Sequence, residues 1–333
     1  MAAIKCHDTE LLQKICLQCG LGTLECEPVP LKGGFLHKMY SLFTDEGKYA
    51  VKLLNPFIMK RETAHENYRT AEKLEAMLEQ SSVPIIPALS CGGRKMQELN
   101  GQFFYLYEWY GGKSLKSSEV TESHCAAMGG ALAQIHALDR REDFKSRDAI
   151  HIDWNFYLGL LADKNRELYS LVSENTSLLY EMQEKGNAAV KKLPPITAVC
   201  HNDMDCKNVL WSGDEFRIID LECLSLSNPF MELLETALCW SGIGDKAVDF
   251  DLLRAFVRSY AEAGGQLPAD WKTLYDANCG RLEWLEYSLK RSLGIECSAY
   301  EIETGISETK NTIADIVYYC SAEDGIIDCL TKL

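Results

Sequence analysis

Two short apolar runs between residues 196 and 222 each lead into polar, acidic residues, and this pattern constrains the fold most. The first run, residues 196–200, precedes His201 and Asp203, and Asn208 follows Asp203 by five positions. The second run, residues 216–219, ends at Asp220, twelve positions after Asn208. Short apolar runs bounded by turn-forming residues are typical of buried strands. The spacing predicts two strands that end in carboxylate and amide side chains.

This arrangement indicates the chemistry of phosphoryl transfer. Oxygen ligands suit a divalent magnesium ion, while a further carboxylate can accept a proton from an attacking hydroxyl group. The transferred group is highly charged, so its transfer depends on metal-binding oxygens, a positioned base and a cation near the phosphates. Either aspartate alone would more often be a turn residue at a strand end. Their combination with Asn208 favours the catalytic interpretation.

Upstream of these motifs, the first 111 residues alternate between strand and helix patterns. Residues 31–54 read as a hairpin with a glycine-rich entry, and residues 64–80 as an amphipathic helix. Two further strands are expected at 90–98 and 101–109, before a break at Gly111 and Gly112. The chain beyond this break is mostly helical by periodicity. The expected fold class is therefore α+β, with a small β-rich N-terminal part and a larger helical C-terminal part.

Length and charge narrow the range of partners. The chain has 333 residues, which suits two domains. Its 34 basic and 49 acidic residues give a net charge of −15. This charge argues against nucleic acid as the main partner, because phosphate-backbone binding depends on Lys and Arg. A cationic small molecule fits the sign better.

The fourteen cysteines are spread along the chain without a dense framework. The N-terminus lacks the pattern of a secretory signal, so we expect a cytoplasmic protein with reduced thiols. Cys16 and Cys19 form a C-x-x-C pair that could hold a metal ion, but they also recur at helical spacing before Gly20. We favour packing as small apolar groups. No apolar run reaches the ~20 residues needed to span a bilayer, so we expect no membrane partner.

The segment from Cys200 to Asn208, together with Ile219-Asp220-Leu221-Glu222, resembles the aminoglycoside phosphotransferase and choline kinase superfamily of protein-kinase-like enzymes. A glycine pair, a strand lysine in Ala50-Val51-Lys52 and a linker-like segment at 107–110 stand upstream in the order that the resemblance requires. It implies a bilobal protein-kinase-like fold. Residues 1–111 would form the nucleotide-binding lobe, and residues 112–333 the catalytic and acceptor-binding lobe.

The resemblance also implies roles for individual residues, with ATP and Mg²⁺ as cofactors. Asp203 would orient the acceptor hydroxyl and take its proton, while Asn208 and Asp220 would hold magnesium. The nucleotide would be met by the side chain of Lys52, by backbone amides near Gly33 and Gly34, and by backbone atoms of Tyr107 and Trp109. A helix carboxylate steadies the strand lysine in related kinases, and facing geometry favours Glu66 over Glu72 for that role.

The acceptor is expected to be a small-molecule alcohol, such as an aminoglycoside, choline or an amino sugar. Glu222 and Trp240 are candidates for an acidic, aromatic-walled pocket that would attract an amine. For Trp240 and the neighbouring Glu232 and Glu235, an ordinary amphipathic helix with solvated glutamates is the favoured alternative. Two other functions stay open: a sugar kinase of N-acetylhexosamine type and a catalytically silent nucleotide-binding regulatory module. A protein kinase is disfavoured, since Asp205 stands where protein kinases place a lysine.

Overall fold

The computed structural model describes residues 8–31, 37–143, 149–299 and 301–333. Gly33 and Gly34, the predicted phosphate-covering pair, lie outside the described residues. The α-helices of the described part are α1 (Thr9–Gln18), α2 (Pro56–Met59), α3 (Ala64–Glu79), α4 (Glu122–His136), α5 (Trp154–Leu161), α6 (Arg166–Val190), α7 (Pro229–Trp240), α8 (Phe250–Glu262), α9 (Trp271–Ala277), α10 (Gly280–Ser292) and α11 (Glu301–Thr331). The strands are β1 (Val29–Leu31), β2 (Lys38–Thr44), β3 (Gly47–Leu53), β4 (Gln97–Leu99), β5 (Gln102–Glu108), β6 (Arg140–Arg141), β7 (Thr197–Cys200), β8 (Val209–Ser212), β9 (Glu215–Ile218) and β10 (Ser225–Ser227).

The chain forms two compact units. The first contains residues 1–115 and 207–225, and the second contains residues 116–206 and 226–333. The predicted division after residue 111 stays a prediction. The α+β class is confirmed, with the strands of the large sheet in the N-terminal part and helices dominating the C-terminal part.

The first unit is built on an antiparallel sheet with the strand order β1-β2-β3-β5-β4. The predicted hairpin is β2 and β3, and its register sets Lys52 between Met39 on one side and Tyr105 on the other. The predicted helix at 64–80 is α3. The strand expected at 90–98 is much shorter. Gly92 and Gly93 adopt positive φ angles in a tight turn, so regular pairing with β5 begins only at β4.

The hairpin of β8 and β9 also belongs to the first unit. Val209 pairs with Ile218, so the residues just outside that pair, Asn208 and Ile219, stand opposite one another. The Ile219 N–H donates to the Asn208 carbonyl oxygen at 2.9 Å. The two polar ends that the sequence predicted therefore meet at the open end of this hairpin.

The second unit consists mainly of helices packed through apolar faces, with a small sheet of β10, β7 and β6. Helices α4 and α8 approach closely at Gly129, where an added Cβ would lie 2.2 Å from the Phe256 carbonyl oxygen. Helix α7 begins at Pro229, and the Asn228 side chain accepts hydrogen bonds from the N–H groups of Phe230 and Met231. This cap sets the first turn of α7, in which Glu232 lies.

Helix α1 decides between the two interpretations of the C-x-x-C pair. Cys16 is buried in the core of the first unit with Leu12 and Ile15, and Gly20 ends the helix with a φ of 68°. Cys16 therefore packs as an apolar side chain, as favoured from the sequence. In the described part of the chain, none of the helices combines the length and the apolar character that crossing a bilayer requires.

Candidate active site

Strand β7 of the second unit ends at Cys200 and delivers the loop that carries Asp203. Asn202 adopts a left-handed backbone conformation with a φ of 63°. His201 is fully buried, and its Nδ1 accepts a hydrogen bond from the Asp203 N–H at 3.3 Å. Asp203 itself is half-buried. His201 thus supports the start of the loop from inside, while the Asp203 side chain stays accessible.

The loop is anchored by Glu232, the acidic residue in the first turn of α7. Its Oε2 accepts from the His201 N–H at 3.2 Å, and its Oε1 accepts from the Asn202 N–H at 2.5 Å. His136 Nε2 lies 2.8 Å from Oε2, and His136 Nδ1 lies 2.9 Å from the Tyr260 hydroxyl. The expectation that Glu232 is solvated is wrong, because this carboxylate is buried under the loop.

Burial opposes ionisation of Glu232, but the hydrogen bonds and the nearby imidazoles outweigh it. The net result is a Glu232 pKa below its ordinary value. His136, Cys200 and Glu232 also bring one donor atom each within 4.8 Å of one another, a group that could hold a metal ion. These atoms already have partners: Glu232 for His136, and the Ser227 carbonyl at 3.6 Å for the Cys200 thiol. We therefore interpret the group as a hydrogen-bonded support.

The predicted metal ligands Asn208 and Asp220 lie in the first unit, at the open end of the β8–β9 hairpin. Asp220 adopts a left-handed conformation with φ 64° and ψ 53°, which few residues other than glycine, asparagine and aspartate adopt readily. Strained backbone of this kind clusters at functional sites. One amide and one carboxylate oxygen make a hard donor set that suits Mg²⁺. The residues present therefore fit the predicted cofactor.

Lys52 of β3 contacts the carboxylate that follows this hairpin. Its Nζ lies 2.6 Å from Asp220 Oδ1 and 2.6 Å from Glu222 Oε2. The lysine is only 5% exposed. Burial lowers the pKa of Lys52, but the two carboxylates outweigh burial and raise it above its ordinary value. The first unit therefore places an ammonium group, whose charged form is favoured, beside two carboxylates.

Glu222 lies on the single 3₁₀ turn Leu221–Cys223 and has a second partner, His37. His37 Nε2 lies 3.1 Å from Glu222 Oε1. Burial again opposes ionisation, but the hydrogen bond from His37 and the charge of Lys52 lower the pKa of Glu222 to about 2. Glu222 was predicted as an acceptor-pocket residue, whereas the structure brings it to Lys52.

The structure corrects the expected pairing of Glu66 with Lys52. The Glu66 carboxylate is exposed and pairs with Arg69 at 2.5 Å, one turn along α3. The buried face of α3 contains Tyr68, Ala71 and Leu74, so Glu66 points to solvent. Asn67 is exposed and Tyr68 is buried, because a tyrosine can be buried along its ring.

The structure also corrects the expected place of Trp240. Its side chain is 1% exposed, and its indole N–H donates to the Met204 carbonyl at 2.8 Å. A tryptophan packed in this way presents no open face to an acceptor. Trp240 is therefore part of an ordinary packed helix, which was the favoured alternative at this position. Its hydrogen bond to Met204 supports the loop that carries Asp203.

Tyr107 and Trp109, the predicted adenine contacts, lie at and just beyond the end of β5. Tyr107 pairs with Ala50 of β3, and the Trp109 N–H donates to the Lys48 carbonyl at 3.2 Å. Lys48 Nζ also lies 3.7 Å from the centre of a Trp109 ring, a cation–π contact. The Trp109 N–H thus donates to a neighbouring strand. The contacts of Tyr107 and Trp109 with adenine stay a prediction.

Sequence reasoning missed the contact of His37 with Glu222, the contact of His136 with Glu232 and the anchoring role of Glu232. Asn228-Pro229 followed by Glu232 could have indicated an acid in a capped first turn, where a carboxylate is favoured. His136 stands among the apolar positions of α4, which could have marked it as a buried polar group that needs a partner. No local pattern relates His37 to Glu222, since they are 185 positions apart in the sequence.

Comparison with known proteins places this geometry in context. The chain resembles the solved structure of a spectinomycin phosphotransferase in complex with ADP and spectinomycin, with a TM-score of 0.62, 16% identity and 97% of each chain covered. An amicoumacin kinase in complex with AMP-PNP and Ca²⁺ gives a TM-score of 0.62 at 12% identity, covering 93% of this chain and 94% of that one. Choline kinase from Cryptosporidium parvum Iowa II gives 0.57 at 14% identity, covering 96% and 97%.

These identities show the fold alone, and they confirm the kinase-like architecture expected from the resemblance. The family is shown by a different comparison. The model of the phosphotransferase enzyme family matches residues 27–275, which include Lys52, Asp203, Asn208 and Asp220. The match covers well over half of the chain, and so the chain belongs to the phosphotransferase enzyme family.

Proposed function

We propose that this chain transfers the γ-phosphate of ATP to a hydroxyl group of a small molecule, with Mg²⁺ as cofactor. The observation that carries the proposal is the contact of the buried Lys52 with Asp220, at the hairpin end where Asn208 also lies. A cation beside oxygen ligands is the arrangement that a nucleotide–metal complex requires. The nucleotides bound in the spectinomycin phosphotransferase and amicoumacin kinase structures support ATP as the donor.

Each residue has a proposed part in this reaction. Asp203 orients the acceptor hydroxyl and accepts its proton, and the anchored backbone of its loop keeps that carboxylate in place. Lys52 neutralises charge on the non-transferred phosphates. Asn208 and Asp220 hold magnesium, which supplies neutralisation of the phosphate charge when bound. Tyr107 and Trp109 contact the adenine, and Gly33 and Gly34 cover the phosphates. Residues 1–111 act as the nucleotide lobe, and residues 112–333 bind the acceptor.

The acceptor is proposed by class only. Spectinomycin, bound by one structural relative, and choline, named in another, both carry a hydroxyl and an amine or ammonium group. The net charge of −15 is compatible with such a cation. The alternatives are a neutral N-acetylhexosamine and the absence of any acceptor in a silent regulatory module.

The direct test is ADP release with magnesium-ATP and separate pools of aminoglycosides, choline with ethanolamine, and hexosamines. We expect one pool to raise the rate above that in water, and Asp203→Asn to lower the stimulated rate about 10²- to 10⁴-fold, the usual contribution of a general base. Asp214→Asn, the same substitution in the exposed β8–β9 turn, is the matched control and should retain the rate.

A thermal shift with ATP and magnesium shows whether the chain binds nucleotide at all, either as an enzyme or as a silent module. A ligand that binds the folded state raises the melting temperature by mass action. Both cases give a shift, but only an enzyme gives ADP release that depends on Asp203. If no pool stimulates ADP release and Asp203→Asn leaves the background rate unchanged, the proposed reaction fails for these acceptors.

A further inference from the structure

The acidic side chains of α3 all have their partners away from Lys52. Glu66 pairs with Arg69, Glu72 accepts from the Met96 N–H and the Tyr105 hydroxyl, and Glu75 and Glu79 pair with Lys95. The α3 residue that reaches the Lys52 site is Tyr68, whose hydroxyl lies 3.4 Å from His37 Nε2. The helix therefore contributes a neutral side chain here, and the charge that balances Lys52 must come from another element.

We infer that Glu222, held in place by His37, is the ion-pair partner that positions Lys52, in place of a glutamate from α3. The inference rests on the proposed phosphotransferase function and names a positioning residue, His37, that acts through Glu222. The two Glu222 oxygens have different partners. Oε2 contacts Lys52 Nζ at 2.6 Å, and Oε1 faces His37 Nε2 at 3.1 Å. All of these residues belong to the first unit.

The hydrogen bond at His37 Nδ1 indicates which ring nitrogen carries the proton. The Asn55 N–H donates to His37 Nδ1 at 2.9 Å, so Nδ1 is the acceptor nitrogen of a neutral ring. The proton then lies on Nε2, which faces the carboxylate. Asn55 also caps α2 by accepting from the Phe57 N–H, which ties this backbone to a defined turn. His37 is thus fixed on one side by the backbone and fixes Glu222 on the other.

The arrangement leaves Asp220 available for a second ligand. Two carboxylates surround one ammonium group, so one of them can bind elsewhere without leaving Lys52 unpaired in a buried position, which would be costly. Glu222 has the smaller exposed fraction, 14% of its side chain against 30% for Asp220. Glu222 is therefore the permanent partner of Lys52, and Asp220 is the carboxylate that can turn to magnesium.

The first experiment measures ATP affinity by titration calorimetry in EDTA, where magnesium plays no part. Glu222→Gln removes the charge that positions Lys52, and we expect about tenfold weaker ATP binding. His37→Asn keeps an acceptor near the Asn55 N–H but cannot reach Glu222, and we expect a loss in the same direction. His37→Gln places an amide donor near the position of Nε2 and should restore most of the affinity. Glu79→Gln, on the same helix as Glu66, is the control that should bind ATP as the wild type does.

The rival assignment gives the pairing to Glu66. It predicts the loss in Glu66→Gln and none in Glu222→Gln, and that result overturns the inference. Wild-type ATP affinity in both Glu222→Gln and His37→Asn also overturns it. If Glu222→Gln does not fold, the comparison of His37→Asn with His37→Gln carries the same test, since both replace an uncharged ring by an amide.

A double-mutant cycle keeps the inference separate from the proposed reaction. The unfolding midpoints of His37→Asn, Glu222→Gln and the double variant require neither nucleotide nor acceptor. Residues that act through one contact give non-additive effects, and we expect the double variant to lose less than the sum of the single losses. Additive losses overturn the inference even if the protein is a kinase. A non-additive cycle together with no ADP release under any condition would contradict the proposed function. The same result would still support the His37–Glu222 contact.

Discussion

Each compact unit contains a largely buried glutamate whose carboxylate lies close to a histidine, which in turn approaches a tyrosine hydroxyl. In the first unit the order is Tyr68, His37 and Glu222, and Glu222 ends on the side chain of Lys52. In the second unit His136 links Tyr260 to Glu232, which ends on backbone N–H groups. The same three side-chain types thus end on a lysine side chain in one unit and on the main chain in the other.

The two carboxylates differ in the kind of group that each one holds in place. A carboxylate that accepts from two consecutive backbone N–H groups fixes the path of a loop and cannot leave without disrupting it. A carboxylate that contacts a lysine amine holds a flexible side chain, whose charge can be shared with an incoming phosphate. We therefore expect Glu232 to matter mainly for the integrity of the Asp203 loop, and Glu222 mainly for nucleotide binding.

The largest effect is expected from Glu232→Ala. The substitution leaves the N–H groups of His201 and Asn202, together with His136, without their acceptor. Breaking a buried pair such as His136 and Glu232 costs about 3–5 kcal/mol of unfolding free energy. Urea denaturation measures it. Glu181→Ala, at an exposed i,i+4 pair on α6, is the control and should lie within the error of the measurement. A Glu232→Ala protein as stable as this control would show that the loop does not depend on the carboxylate.

The second effect is a pH dependence that follows from the lowered pKa of Glu232. A carboxyl group whose pKa is lower in the folded state stabilises the fold above its unfolded pKa, about 4.3, and loses that contribution as the pH falls through the folded value. The difference in unfolding free energy between wild type and Glu232→Gln should therefore be largest near neutral pH and shrink in acid. Urea titrations at several pH values test this. A difference that grows on acidification would contradict the assigned ionisation.

The two tyrosines offer a smaller and more selective comparison. Tyr260→Phe removes a hydrogen bond of 2.9 Å to His136 and should cost about 1 kcal/mol. Tyr68→Phe removes a contact of 3.4 Å to His37, near the limit for a hydrogen bond, and should cost about 0.5 kcal/mol or less. Unfolding free energies of both variants, made in the same background, decide the order. A larger loss in Tyr68→Phe would reverse the ranking of the two histidine contacts.

The smallest perturbation is chemical labelling of one cysteine near each glutamate. Cys223 follows Glu222 and is exposed, whereas Cys200 is buried beside Glu232. Burial raises the pKa of the Cys200 thiol well above its ordinary value, so little thiolate forms. Iodoacetamide under native conditions, followed by peptide mass spectrometry, should label Cys223 and spare Cys200. Exposed Cys26 is the reference, and equal labelling rates at Cys200 and Cys223 would contradict the difference in burial.

Much of the candidate site could be predicted because its motifs are local. Asp203, Asn208 and Asp220 follow short apolar runs, and the hairpin that joins Asn208 to the Asp220 segment requires only a turn between two strands. Lys52 lies in the predicted strand β3, but its contact with Asp220 was not predicted. Periodicity also located α3 at nearly its exact bounds.

The errors have a common physical cause. The partner of Lys52 depends on the rotation of α3 against the sheet, and a rotation of one position exchanges Glu66 for its neighbours at the buried face. Burial of Tyr68 decides that rotation, because its ring fills space that polar Asn67 would not. Likewise, the periodicity of α7 assigned Glu232 to solvent, because a periodic pattern counts polar residues as exposed. It carries no information about distant N–H groups that need a buried acceptor.

The sequence by itself determined the class of fold, the loop with Asp203, the oxygen-bearing side chains of Asn208 and Asp220 at the strand ends, and the strand lysine. These features depend on residues close together in the chain and on strand and turn preferences that act locally. Only the tertiary structure decided which acids pair with Lys52 and which acid anchors the Asp203 loop. Those contacts join residues far apart in sequence, and each of them is selected by the need to pair a charge or a polar group once packing has removed it from water.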